Sequence, residues 1–207
     1  MEKLDLKKVH RELFNPPKGR FVEVTVPVMS FVKVDGAGDP NTAEEYRTAV
    51  EWLYGVSYAM KFAARKLLDR DYVVPPLEAL WWADDPGSFV RREKSRWRWT
   101  VMIMAPAFVT DALFDAAVAK IAAKRGTPPP SLRFEPYDEG WSLQTLHLGS
   151  YDDEGPTLRH LHEEVMPGMA VTFNGAHHEI YLGDPRKVEP AKLRTILRQP
   201  IRRAPAE

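Results

Sequence analysis

Cysteine is absent from all 207 residues, which excludes a disulfide scaffold, a zinc ribbon and thiol catalysis. That absence accords with a reducing compartment, and the expected location is cytoplasmic. Net charge is also missing: 29 basic side chains face 29 acidic ones. A broad nucleic-acid-binding surface needs a basic excess, so no direct nucleic-acid contact is expected. Long apolar runs are lacking. The longest, such as Val101–Val109, fall far below the roughly 20 residues that span a bilayer. Residues 1–20 are charged throughout and have no signal-peptide core, so no membrane association is expected. Several catalytic signatures are missing too. There is no GxxxxGK[ST] phosphate loop, and Gly36-Ala37-Gly38 lacks the third glycine of a dinucleotide loop. No GxSxG elbow and no HExxH pair occurs. His160 and His162 lie two apart on a predicted helix, and His177 and His178 point oppositely on a predicted strand, so neither pair shares a face. Neither a metal nor another cofactor is expected.

The excesses are proline, with 18 residues, and tryptophan, with six, five of them between Trp52 and Trp99. Alternation predicts a strand over 21–34, interrupted at Pro27. After the Gly36–Pro40 turn a helix runs from a cap at Asn41 or Thr42 to about Leu68. Strands over 77–82 and 97–104 and a helix over 107–125 follow. A second series reads strand 141–150, helix 155–166, short strand 170–173, strand 177–182 and short helix 191–197. The two series share the order strand, helix, strand, strand, helix. This predicts an α+β fold of duplicated βαββ units forming a mixed or antiparallel sheet, with helices on one side and a central ligand cleft. The expected layout is a lead-in over 1–20, a domain over 21–200 with halves of about 21–126 and 132–200, and a tail over 201–207. From Asp184 onward seven Lys/Arg outnumber three Asp/Glu, which reads as a solvated tail first and a contact surface second.

Two groups of residues could carry chemistry. In His177-His178-Glu179-Ile180-Tyr181-Leu182, alternation puts His177, Glu179 and Tyr181 on one face and His178, Ile180 and Leu182 on the other. Glu179 is then either a solvent-facing surface charge or a cleft carboxylate that meets a cation or moves a proton. The second group is aromatic. Trp81 and Trp82 must point to opposite faces, and Tyr54 and Tyr58 stack at i,i+4. Such rings serve equally as ordinary core or as walls for flat, apolar or cationic molecules.

The opening Val28-Met-Ser-Phe-Val-Lys-Val-Asp-Gly-Ala-Gly-Asp-Pro40 and the closing His177-His-Glu-Ile-Tyr-Leu-Gly-Asp-Pro185 resemble the GyrI-like small-molecule-binding superfamily. That superfamily includes BmrR-type effector domains of multidrug-sensing regulators; this chain looks like a stand-alone member. The resemblance spans roughly 20–200 and implies paired βαββ units around a cleft with a carboxylate on the last long strand, which is Glu179 here. It implies an aromatic pocket, with Tyr181, Tyr137, Trp141, Trp82 and Trp99 as candidates and Tyr54 and Tyr58 beside them. Glu179, Tyr181 and Tyr137 are the candidate catalytic residues. The implied partners are hydrophobic or cationic aromatic small molecules, and the expected state is a monomer or weak homodimer. Three functions are open: a drug sponge or sensor, a metal-independent hydrolase of strained cyclopropane-bearing toxins that serves detoxification, and a gyrase-inhibitor-type protein adaptor.

Overall fold

Pro27 offers no N–H to a ladder, and the predicted first strand divides there. A computed structural model gives Val22–Val26 (β2) and Met29–Ala37 (β3) in its place. It describes residues 3–85 and 87–205. Residues 1, 2, 86, 206 and 207, which the sequence reading gave to the lead-in, the polar connection and the tail, lie outside the described residues. The lead-in is not irregular: it holds Lys3–Leu4 (β1) and the one-turn helices Leu6–Val9 (α1) and Arg11–Phe14 (α2). Asp5 starts α1 by accepting from the Lys7 amide at 3.1 Å. After β3 come Glu44–Leu67 (α3), Asp71–Tyr72 (β4), Leu77–Trp82 (β5), Gly87–Val90 (α4), Arg98–Ala105 (β6), Asp111–Arg125 (α5) and Arg133–Tyr137 (β7). Then follow Gly140–Leu148 (β8), Gly155–His160 (α6), a π turn over Leu161–Val165, Met166–Gly168 (α7), Val171–Phe173 (β9), His177–Tyr181 (β10) and Arg194–Arg203 (β11).

The chain forms two compact units. The first holds residues up to His10 and Val28–Tyr137. Its larger sheet has the strand order β7-β3-β6-β5, antiparallel throughout, and β1 and β4 form a separate parallel pair. Strand β6 is apolar and almost wholly buried, as a central strand covered on both faces should be. Helix α3 buries Trp52, Leu53, Val56 and Met60 and packs on β3, β6 and α5. Gly55 lies against Ile121 of α5, where a Cβ would make an ordinary contact at 3.5 Å. Trp99 has no exposed surface and lies directly over Gly36. Its ring would be 2.2 Å from any Cβ at position 36, so only glycine fits.

The second unit holds Arg11–Pro27 and Asp138 onward. Its strand order is β2-β8-β11-β10, with β9 pairing the far end of β11. Each unit therefore contains a strand, a helical segment and two antiparallel strands in the same arrangement. The registers agree as well. In the first unit Gly36 faces Trp99, which faces Trp81. In the second His147 faces Thr195, which faces Tyr181.

One predicted element is corrected. The stretch Ala191–Leu197 was expected to be helical, but only Pro190–Lys192 makes a 3-10 turn and Arg194 begins β11. Ile196 is paired on both flanks, with Leu146 and with Ile180, and this long-range pairing outweighs the modest helix preference of Ala-Lys-Leu-Arg. Within the basic segment Arg198 is drawn into the second unit, at 2% exposed, while Arg186, Lys187, Lys192, Arg194, Arg202 and Arg203 remain exposed.

Candidate functional site

Strand β10 alternates strictly in burial. His178 and Ile180 point into the second unit, and His177, Glu179 and Tyr181 share the opposite face, as the alternation predicts. Beneath the strand, His178 Nδ1 lies 2.7 Å from Glu139 Oε1. Arg198 Nη1 donates to Glu139 Oε2 at 3.0 Å, its Nε to Gln144 Oε1 at 3.0 Å and its Nη2 to the Leu13 carbonyl at 2.8 Å. Burial alone would push the Glu139 carboxyl up, but the charges and hydrogen bonds of His178 and Arg198 prevail and hold it at about 2. This enclosed network anchors β10 to β11 and β8, and so fixes the position of the residues on the other face.

On that other face Glu179 is not a solvated surface charge: its side chain is 14% exposed. Tyr181 Oη donates to Glu179 Oε2 at 2.8 Å. His177 Nε2 stands 3.6 Å from Glu179 Oε1, and neither of its ring nitrogens has a conventional hydrogen bond. Tyr151 meets the Tyr181 ring edge-on at 5.4 Å. His162, from the π turn, packs edge-on to Phe173 at 5.1 Å; burial first and His177 second lower its pKa. The π turn has a local cause. Pro167 cannot donate to the carbonyl four residues earlier and crowds it, so the preceding turn widens. The Met166 amide then bonds to Leu161, five residues back.

A second carboxyl joins Glu179. The loop after β8 turns at Gly149, whose φ of 141° favours glycine. The Ser150 carbonyl lies 3.1 Å from His147 Nε2, and Ser150 Oγ donates to Asp153 at 2.7 Å. The loop delivers Glu154 to the N-cap of α6, where Pro156 opens the helix. The Glu154 side chain makes no cap bond. It is buried, 4% exposed, and feels the charge of Glu179. Burial first, then the Glu179 charge, raise the Glu154 pKa well above the ordinary carboxylate range. The Thr195 hydroxyl is close enough to favour ionisation slightly, yet Thr195 Oγ1 makes no hydrogen bond of ordinary geometry.

The structure brings together Glu179 and Tyr181 of the predicted set. Trp141 is in the same unit but near the β2 end of β8: it donates to Glu23 at 2.9 Å, lies under Arg203 at 5.0 Å and packs on the Leu143–Met166–Ile201 core. Tyr137, Trp82, Trp99, Tyr54 and Tyr58 belong to the first unit. Tyr137 packs edge-on against Phe31 and beneath the Lys33 ammonium, 4.7 Å from the ring centre. Trp82 is half-buried, whereas Trp81 stacks on Tyr46. Trp99, a predicted pocket wall, is enclosed in the core because Gly36 lets its ring lie flat on β3. Tyr54 and Tyr58 do stack, at 6.5 Å, and the ladder continues to Phe62. Sequence reasoning missed Glu154, Thr195 and Glu139. Glu154 had one local signal, its place directly before Gly155-Pro156 at a helix start.

Among the described residues no helix is long and apolar enough to cross a membrane, and no group of three or more His, Asp or Glu converges as metal ligands do. No curated protein matches the chain. Solved structures do. An uncharacterized conserved protein from Listeria innocua is 35% identical, with 97% of this chain and 100% of that one covered and a TM-score of 0.87. A hydrolase from Listeria innocua is 34% identical over the same shares, at a TM-score of 0.84. The C-terminal domain of EcmrR shares the fold at a TM-score of 0.56, with 9% identity over 89% of this chain and 98% of that one. The family model of the GyrI-like small molecule binding domain matches residues 21–202. With that match over most of its length, and relatives of this identity over nearly all of it, the chain belongs to the GyrI-like small-molecule-binding family.

Proposed function

We propose that this protein binds amphipathic, aromatic small molecules at Glu179 and Tyr181 and hydrolyses those that carry an activated cyclopropane ring. The observation that carries this reading is the 2.8 Å hydrogen bond from Tyr181 to a largely buried carboxylate. That bond is a two-step proton path. The hydrolase name of a 34% identical relative supports turnover over binding alone.

The chemistry balances with these two groups. A water oxygen attacks the ring carbon, and one C–C bond breaks. Its electron pair moves onto the conjugated carbonyl oxygen. Glu179, as general base, takes the water proton. The newly protonated Glu179 then donates to Tyr181 Oη, which frees the phenolic proton for the developing oxyanion. Tyr181 recovers its proton from Glu179, and both residues return to their starting states. The product is a ring-opened alcohol with an enol or phenol hydroxyl. For a ligand with no strained ring, the same carboxylate attracts a cation beside the Tyr151–Tyr181 rings.

The test is incubation of the purified protein with a spiro-cyclopropane dienone in ¹⁸O-labelled water, followed by mass spectrometry. Catalytic formation of the labelled ring-opened adduct is expected. Saturable binding without adduct would leave a binder, and neither adduct nor binding would end this reading.

A further inference from the structure

Helix α3 turns two faces to different surroundings. Trp52, Leu53, Val56 and Met60 point into the first unit. Positions 51, 54, 58, 62 and 65 recur at spacings of three and four, so Glu51, Tyr54, Tyr58, Phe62 and Arg65 share one stripe on the opposite side. The middle of the stripe is aromatic. Tyr54 stacks on Tyr58 at 6.5 Å and Tyr58 on Phe62 at 6.4 Å, yet Tyr58 is 46% exposed and Phe62 53%. Exposed apolar side chains scattered singly are ordinary, but a ladder of rings along one helix face marks an interaction surface. The ends of the stripe carry opposite charges: Glu51 lies seven residues before Tyr58 and Arg65 seven after it. We propose that this stripe is a homodimer interface, in which α3 packs antiparallel on α3 of a second copy about a twofold axis at Tyr58.

The stripe is its own complement. A twofold axis at Tyr58 sets each residue before it beside the residue equally far after it in the other copy. Tyr58 then meets the partner's Tyr58, Tyr54 meets the partner's Phe62, and Glu51 meets the partner's Arg65. Each unlike pair occurs twice. No like charges face each other among these five positions. A parallel pairing would set Glu51 on Glu51 and Arg65 on Arg65, which electrostatics disfavours. Glu51 also accepts from Arg125 of α5 at 2.5 Å, and both side chains of that pair are about half exposed. Such a surface pair contributes little by itself. A carboxylate has two oxygens, so Glu51 can serve Arg125 and the partner's Arg65 together. The acidic end of the stripe disfavours the other broad occupant of an exposed apolar helix face, a negatively charged lipid surface.

The area sets the strength. From Glu51 to Arg65 the stripe is about 21 Å long at about 1.5 Å per residue. Roughly half of the Tyr58 and Phe62 rings remains to be covered, which is about 100 Å² each. With Tyr54 and the stems of Glu51 and Arg65, the two copies together bury about 800–1,000 Å², the lower edge of a specific interface. The dimer is therefore reversible, with a dissociation constant of about 1–100 µM, rather than obligate.

Sedimentation equilibrium of the protein between about 1 and 200 µM measures the association. A reversible monomer–dimer equilibrium is expected. Tyr58→Glu puts two like charges at the axis and should weaken it by about tenfold or more. Glu51→Arg or Arg65→Glu alone should weaken it by about three- to tenfold, because each sets like charges together twice. An equimolar mixture of those two single variants restores both opposite-sign pairs and should associate as the wild type does. Both positions are exposed, and circular dichroism melts check that each variant folds. A wild type that stays monomeric throughout overturns the proposal. So does a dimer that Tyr58→Glu leaves intact, or a mixture that fails to recover association. A monomer that instead floats with phosphatidylcholine vesicles would give the ladder to a membrane surface and equally refute the dimer.

Discussion

Replacing Glu139 by glutamine keeps the shape of the network under β10 and removes its only negative charge. The Arg198 guanidinium then stays buried against neutral partners, with its Gln144 and Leu13 bonds intact. The magnitude follows from the carboxyl itself. Its pKa is held at about 2 against an ordinary 4.5, which corresponds to about 3 kcal/mol. Removing one partner of a buried ion pair gives a similar figure, about 3–5 kcal/mol. The contribution has a definite pH window. A carboxyl whose folded pKa is depressed stabilises fully above its unfolded value. That stability is lost as pH falls from about 4.5 toward about 2. Hydrogen exchange of the β8 and β11 amides measures the second unit by itself. Near neutral pH, Glu139→Gln should lower their opening free energy by about 3 kcal/mol. Between pH 5 and 3 its stability should decline less steeply than that of the wild type. A loss below about 1 kcal/mol, or an unchanged acid slope, would refute the claim that this pair holds β10 in place.

Adding Arg198→Met to Glu139→Gln should cost less than the two single losses combined by about 1–3 kcal/mol in a double-mutant cycle, since both changes empty one network. Gly36→Ala should destabilise the first unit by about 1–3 kcal/mol in denaturant melts, because its Cβ lands 2.2 Å from the Trp99 ring. An unaltered midpoint would mean that Trp99 has room to move. Glu154 has a raised folded pKa, so its contribution is fully present below the ordinary carboxylate range and is lost as pH rises through the folded value. Glu154→Gln should therefore gain stability relative to wild type at alkaline pH and show no gain in mild acid. Tyr181→Phe removes the hydroxyl beside Glu179 and should lower cyclopropane turnover by about a hundredfold while aromatic ligands still bind.

Local pattern made much of this architecture legible. Alternation alone separates His177, Glu179 and Tyr181 from His178 and Ile180, because side-chain period in a strand is fixed by backbone geometry. The repeated order of elements survives in both units for the same reason: it depends on periodicity and turn residues rather than on matched side chains. What local pattern could not reveal were long-range encounters. Arg198 looks like part of a basic tail until β11 pairs on both sides and places it against Glu139, 59 residues earlier. Glu154 reads as an ordinary acidic residue at a helix start, and only the folded chain buries it and exposes it to the charge of Glu179. Trp99 looks like a pocket wall, yet a bare glycine on the neighbouring strand admits its ring to the core.

The central claim is that Glu179 is the working carboxylate of this protein, and Glu179→Gln tests it most directly. The variant keeps the side-chain shape and can still bond Tyr181. Turnover of the spiro-cyclopropane dienone and rhodamine 6G affinity are measured side by side with the wild type. The account predicts a fall in turnover of about a hundredfold or more, with weaker rhodamine binding and retained binding of neutral aromatic ligands. A variant that matches the wild type in both assays would contradict it and leave Glu179 without a functional role.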